Sequence, residues 1–241
     1  MSALAAATAS GASMAVQAGM LAGEGVAGMA DPAMLSLLWG TQAGDATNLR
    51  LIGLALLIVS VGTPRPLSAV LATIGATAVA ASFALVGHVN DAGGIWLQSL
   101  ITLHLLAVAF WIGALAPLRA AARGRLELAL ASELADRFGR LAAWAVPALA
   151  IAGLVTAVVL LKTPAAIVEN TYAQTLVLKV AAFLALLGLA ATNKLRFVPG
   201  MKRGDANSAQ RLVQSINVEI ALMVVVLLLT ASLTSVMTPP M

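Results

Sequence analysis

The sequence predicts an all-α protein: a polytopic transmembrane helical bundle of about seven helices, forming one integral membrane domain over residues 1–241. Its N-terminus is expected inside and its C-terminus outside. Three observations predict this. Hydrophobic residues make up 61% of the chain and charged residues 10%, with a mean hydropathy of +0.97, whereas a soluble domain is about half apolar and about a quarter charged. Apolar runs reach the ~20 residues that a helix needs to cross hydrocarbon. Alternating strands of ~10 residues, the mark of a membrane barrel, do not occur.

The expected spans follow in order. The first, about Ala3 to Ala22, is rich in Ala, Ser and Gly and lacks the basic start and apolar centre of a signal peptide. The others cover roughly Asn48–Gly62, Leu67–Gly87, Ile95–Leu118, Phe138–Leu161, Gln174–Leu195 and Leu212–Val236. The Ala-rich stretch Thr73–Ala84 suits close helix packing, because small residues let backbones approach in lipid. Pro147 falls inside a span and predicts a kink. The segment Gly124–Arg140 reads as a short amphipathic surface helix, and "VNDAGG" as a short loop making its flanking helices antiparallel neighbours.

Basic residues set the orientation. Arg65, the loop holding Arg119, Arg123, Arg125, Arg137 and Arg140, and the stretch with Lys194, Arg196, Lys202, Arg203 and Arg211 fall on one side of a seven-span chain. Only Arg50, Lys162 and Lys179 remain for the other. The positive-inside rule makes the first side cytoplasmic. Glu24, Asp31, Asp45, Asp91 and Glu169 then make the outer face mildly acidic. The net charge of +4 comes from these orienting loops rather than from a nucleic-acid surface. With no cysteine, disulfides and thiolate chemistry are excluded, leaving methionine thioethers and imidazoles for a soft metal. No phosphate-binding Gly-rich loop, zinc-binding helix pair or Ser-His-Asp set is present, so neither an ATP-driven pump nor an enzyme is expected.

Ionisable groups inside spans cost about 2.5–3.5 kcal/mol on insertion scales and mark candidate sites. They are His104, Lys179 and Glu219, with His88 at an outer helix end. His104 lies roughly 12 Å into its helix, and Trp111, seven residues on, shares its face. His88 and His104 form a candidate imidazole pair. The alternative is a His104 bonded to a neighbouring carbonyl or hydroxyl and a His88 in the headgroups. Lys179 and Arg50 can equally snorkel to the interface. Glu219, Met223, Thr230, Thr234 and Met237 form one stripe on the last helix, a candidate hand-over path for a soft cation or else ordinary packing. Met20, Met29, Met34, Met237 and Met241 gather on the outer side.

The stretch "GHVNDAGGIWLQSLITLHLLAVAFWIGALAPL" (Gly87–Leu118) resembles the signature of the copper resistance D (CopD/PcoD) family of bacterial inner-membrane proteins, through His88, His104, Trp111 and Gly113. Tyr172, Lys179, Asn193 and Pro199 are similar to its Tyr-x-x-x-Leu-x-x-Lys helix, with Ala173 where Gly is common. Glu219 and Pro239-Pro240 resemble its last helix, and Thr41, Gly44 and Arg50 an upstream stretch. The resemblance runs from about Gly19 to the C-terminus and implies an N-terminally short member. It implies copper movement from periplasm to cytoplasm in the bacterial inner membrane, with a small periplasmic copper-binding (CopC-like) partner. His88, His104, Glu219, Met223 and Met237 become expected copper contacts. Trp111, Lys179, Asn193 and Arg50 become expected supporting residues. Two alternatives stand: a redox protein whose histidines ligate haem or another cofactor, and a copper-binding assembly scaffold without transport.

Overall fold

The computed structural model describes residues 2–86, 88–161 and 171–235. The side chains of His88, Asp91, Arg125 and Thr234, and all of Gly87, Lys162, Glu169, Met237, Pro239, Pro240 and Met241, lie outside the described residues. Those described form helices and turns without a strand. The helices are α1 (Ser2–Ala22), α2 (Pro32–Trp39), α3 (Gln42–Val61), α4 (Arg65–Ala84), α5 (His88–Ala120), α6 (Leu128–Leu161), α7 (Thr171–Thr192), α8 (Val198–Lys202) and α9 (Ala206–Ser235). Among the described residues, seven helical stretches are long and apolar enough to span a bilayer. Large apolar side chains such as Val61, Ile95 and Trp144 are more than four-fifths exposed. In water such surfaces would aggregate; here they meet acyl chains, as a multi-pass membrane protein requires.

The chain divides into two compact units, residues 1–106 and 107–241. In the first, the dominant packing is α3 against α4. It depends on glycine at one crossing. A Cβ on Gly53 would meet the Gly75 carbonyl oxygen at 2.7 Å, and a Cβ on Gly75 would meet that of Gly53 at the same distance. Lipid supplies no hydrophobic drive between helices, so such close backbone approach does the holding. Side-chain caps open α2 and α3: the Asp31 carboxylate accepts from the amides of Ala33 and Met34 at the head of α2, and the Thr41 hydroxyl from that of Ala43 at the head of α3. Met14, Ala18 and Leu38 form a small core between α1 and α2.

In the second unit, Trp111, Leu115 and Leu118 of α5 share a core with Leu149 of α6, Leu186 of α7, Met201 of α8 and Ile216 and Met223 of α9. At its basic end, Asp136 on α6 pairs with Arg140 one turn on and with Lys202 on α8 at 3.0 Å. Gly204, at φ +84, turns the chain into α9. There the Asp205 carboxylate accepts from the Asn207 amide (3.0 Å) and the Ser208 hydroxyl (2.7 Å). These bonds hold its carboxyl below the usual aspartate range.

Several expectations are corrected. Residues 88–93, read as a loop after His88, are helical, and the break comes at Gly94, whose φ of +60 suits glycine. Among the described residues α5 is not packed along α4, whose partner is α3. The segment Gly124–Arg140 is not a separate surface helix: from Leu128 it is continuous with the span as α6, because nothing between Phe138 and Ala142 interrupts the helix.

Candidate functional site

The most distinctive polar arrangement among the described residues lies in the second unit and centres on Glu219. Its side chain is 2% exposed, inside a helix with few other polar groups on its buried face. One carboxylate oxygen, Oε2, accepts from Trp111 Nε1 at 3.3 Å. The other, Oε1, accepts from Asn193 Nδ2 at 2.5 Å. The carboxylate thus joins three elements: α5, the end of α7 and α9. Among the described residues no Lys, Arg or His forms an ion pair with it.

Local structure explains each arm. Trp111 is 4% exposed and stands edge-on to Phe183 of α7, with ring centres 6.4 Å apart, which fixes the plane of the indole. Asn193 opens a π turn, residues 193–197, in which the Val198 amide donates to the Asn193 carbonyl five residues back. Such a turn shifts the register of side chains around the helix, and π turns gather at functional sites. It sits between α7 and α8, which therefore present different faces. Among the described residues, two buried oxygens nearby in sequence or on the same face have no hydrogen-bond partner: Asn193 Oδ1 and Ser215 Oγ, the latter one turn before Glu219. Met223, one turn after Glu219, is buried in the same core.

Chemically, this is a buried carboxyl group with two neutral N–H donors on its oxygens. The two hydrogen bonds work against the ~2.5–3.5 kcal/mol that an ionised carboxylate costs at the centre of a span. The carboxylate and the two spare oxygens are hard donors, and the Met223 thioether is soft.

The other expected residues sit as follows. His104 is half-buried on α5, in the first unit, with its Nδ1 shielded from solvent. Trp111 and Asn193, expected as supporting residues, are brought onto Glu219. Met223 shares its face, and Thr230 bonds the Val226 carbonyl. Lys179 is half-buried on α7. Arg50 is half-buried: its Nε donates to Ser82 Oγ at 3.0 Å and its guanidinium lies 4.2 Å above the Phe83 ring, both on α4. Among the described residues no three His, Asp or Glu side chains gather as a metal cage; His88 and Met237 fall outside that set. Sequence reasoning missed Ser215. The signal was its place four residues before Glu219, which puts both on one helix face.

Two family descriptions match the chain. "Copper resistance protein D" matches residues 132–233, and "Copper resistance protein D-like, N-terminal domain" matches residues 1–98. The second begins ahead of Gly19, where the resemblance read from motifs begins. The chain matches no curated protein and no solved structure. Glu219 and Asn193 fall within the first match, Trp111 lies between the two, and the α3–α4 pair falls within the second. Together the two descriptions support a role in copper resistance or homeostasis, and the chain belongs to the copper resistance protein D family.

Proposed function

We propose that the chain is a copper permease of the bacterial inner membrane, moving the ion from periplasm to cytoplasm without ATP and without chemical turnover. Copper is its cargo. The observation that carries this reading is Glu219: a carboxylate sealed inside a membrane span, held by donors from two other helical elements, in a chain of a copper resistance family. Burial of that kind is costly and is retained where an ion path needs it. His88, His104 and Met237 on the outer side are the proposed entry ligands, with Met223 beside Glu219 as a thioether step further in. A periplasmic CopC-like protein is the proposed donor of copper. Copper accumulation in cells expressing the chain tests this. His104→Ala and Glu219→Ala should each cut uptake sharply; unchanged uptake with normal amounts of folded protein in the membrane would overturn the assignment.

A specific observation favours a second reading. Both Glu219 oxygens already accept hydrogen bonds, which suits a rigid copper-binding scaffold that does not translocate. Stoichiometric binding without vesicle uptake would select it.

A further inference from the structure

At the basic end of the second unit an open cavity of about 560 Å³ lies between the turn that follows α5, the start of α6 and the start of α9. That volume is in the range of small-molecule sites, about 300–1,000 Å³. Its walls are mostly apolar, with Leu126, Leu128, Ala131, Ala209 and Val213 among them. Its polar side chains are Arg123 and Gln210. Arg123 is exposed, and among the described residues it forms no ion pair. The acids at the two helix starts, Glu127 and Asp205, do not line the cavity. The nearby basic groups are otherwise engaged in part: Arg119 with Asn217, and Arg140 and Lys202 with Asp136. The end carrying these cations is the one the positive-inside rule assigns to the cytoplasmic leaflet.

We propose that this cavity holds one anionic phospholipid of that leaflet, with an acyl chain against the apolar walls and the phosphate at Arg123. The argument is charge complementarity at a fixed depth. An apolar slot opens beside an uncompensated guanidinium at the level where anionic headgroups lie, and basic pockets between spans on the cytoplasmic side suit such headgroups. Gln210 offers an amide donor to a phosphate or glycerol oxygen. A zwitterionic lipid would bring its own cation to Arg123 and lose the advantage. The proposal is independent of copper transport, because none of these residues belongs to the Glu219 arrangement.

The test titrates the 241-residue chain in detergent with phosphatidylglycerol, with phosphatidylcholine and with soluble glycerol phosphate, following thermal unfolding. Phosphatidylglycerol should stabilise the wild type where the other two do not. Arg123→Gln should weaken that response roughly fivefold, the effect of one basic residue near an anionic surface. Val213→Trp, which fills the slot, should abolish it, and Arg203→Gln, a basic change outside the cavity, should leave it intact. Equal responses to phosphatidylcholine, an equal response to glycerol phosphate, or equal losses in Arg123→Gln and Arg203→Gln would overturn the proposal. If Val213→Trp fails to fold, the contrast between the two arginine variants decides.

Discussion

Replacing Glu219 by alanine removes the acceptor of two buried donors, Trp111 Nε1 and Asn193 Nδ2. A buried donor left without a partner costs about 1–3 kcal/mol, so the loss is roughly 2–6 kcal/mol. Against it stands the relief of taking a carboxylate out of the span, about 2.5–3.5 kcal/mol. The net change then runs from about 1.5 kcal/mol of stabilisation to about 3.5 kcal/mol of destabilisation, and the single variant discriminates poorly. Double-mutant cycles do better, because the burial cost of the carboxylate cancels within each cycle. The two arms should differ. The Trp111 contact, at 3.3 Å, lies just beyond the usual N–H···O range of about 2.7–3.2 Å. The Asn193 contact is much shorter. Coupling between Trp111→Phe and Glu219→Ala should therefore be about 0.5–1 kcal/mol. Coupling between Asn193→Ala and Glu219→Ala should be about 1–3 kcal/mol, by the range for contacting residues. The assay is equilibrium unfolding in mixed micelles, followed by helical circular dichroism. Additivity within about 0.5 kcal/mol in both cycles, or a stronger Trp111 arm, would refute the view of Glu219 as the acceptor joining three elements.

Three further outcomes are expected. Gly53→Ala should destabilise by about 1–3 kcal/mol, since its Cβ would meet the Gly75 carbonyl at 2.7 Å; Gly188→Ala, with nothing within 4 Å, should be neutral or stabilising in the same thermal assay. Arg50→Lys should lower the unfolding temperature, because an ammonium cannot both reproduce the Nε bond to Ser82 and lie flat over Phe83; a lysine variant as stable as wild type would contradict the contacts. Asp205 carries a carboxyl whose folded value is depressed, chiefly by the Ser208 hydroxyl. Its stabilisation is therefore present above the ordinary aspartate range and lost as pH falls through the folded value. Asp205→Asn should flatten that acid limb of a stability-against-pH curve, and an unchanged limb would count against the cap.

What was legible in the sequence was what one-dimensional chemistry determines. Runs of apolar residues marked every span, because a helix must satisfy its backbone internally in lipid. Glu219 stood out because a carboxylate there is costly. Less was legible where the answer depends on which neighbour a side chain meets. Asn193 could be singled out only by family resemblance, since its π turn has no compositional signature distinct from an α-helix. The Ala-rich Thr73–Ala84 run announced close packing, yet the decisive pair, Gly53 with Gly75, needed the relative register of two helices. Arg50 read as a side chain that would snorkel, because its alternatives, Ser82 and Phe83, lie more than thirty residues away in sequence. "VNDAGG" has turn composition but forms a helical turn, and Gly94 alone makes the break.

Copper movement by the purified chain is the most direct test of the central claim. Proteoliposomes containing only this protein and lipid, without nucleotide, should accumulate copper with time. The purified protein should show no stoichiometric haem absorption band, and vesicles carrying Glu219→Ala or His104→Ala should accumulate far less copper. Copper that binds without entering the vesicle lumen, or uptake indifferent to both substitutions, would contradict the account.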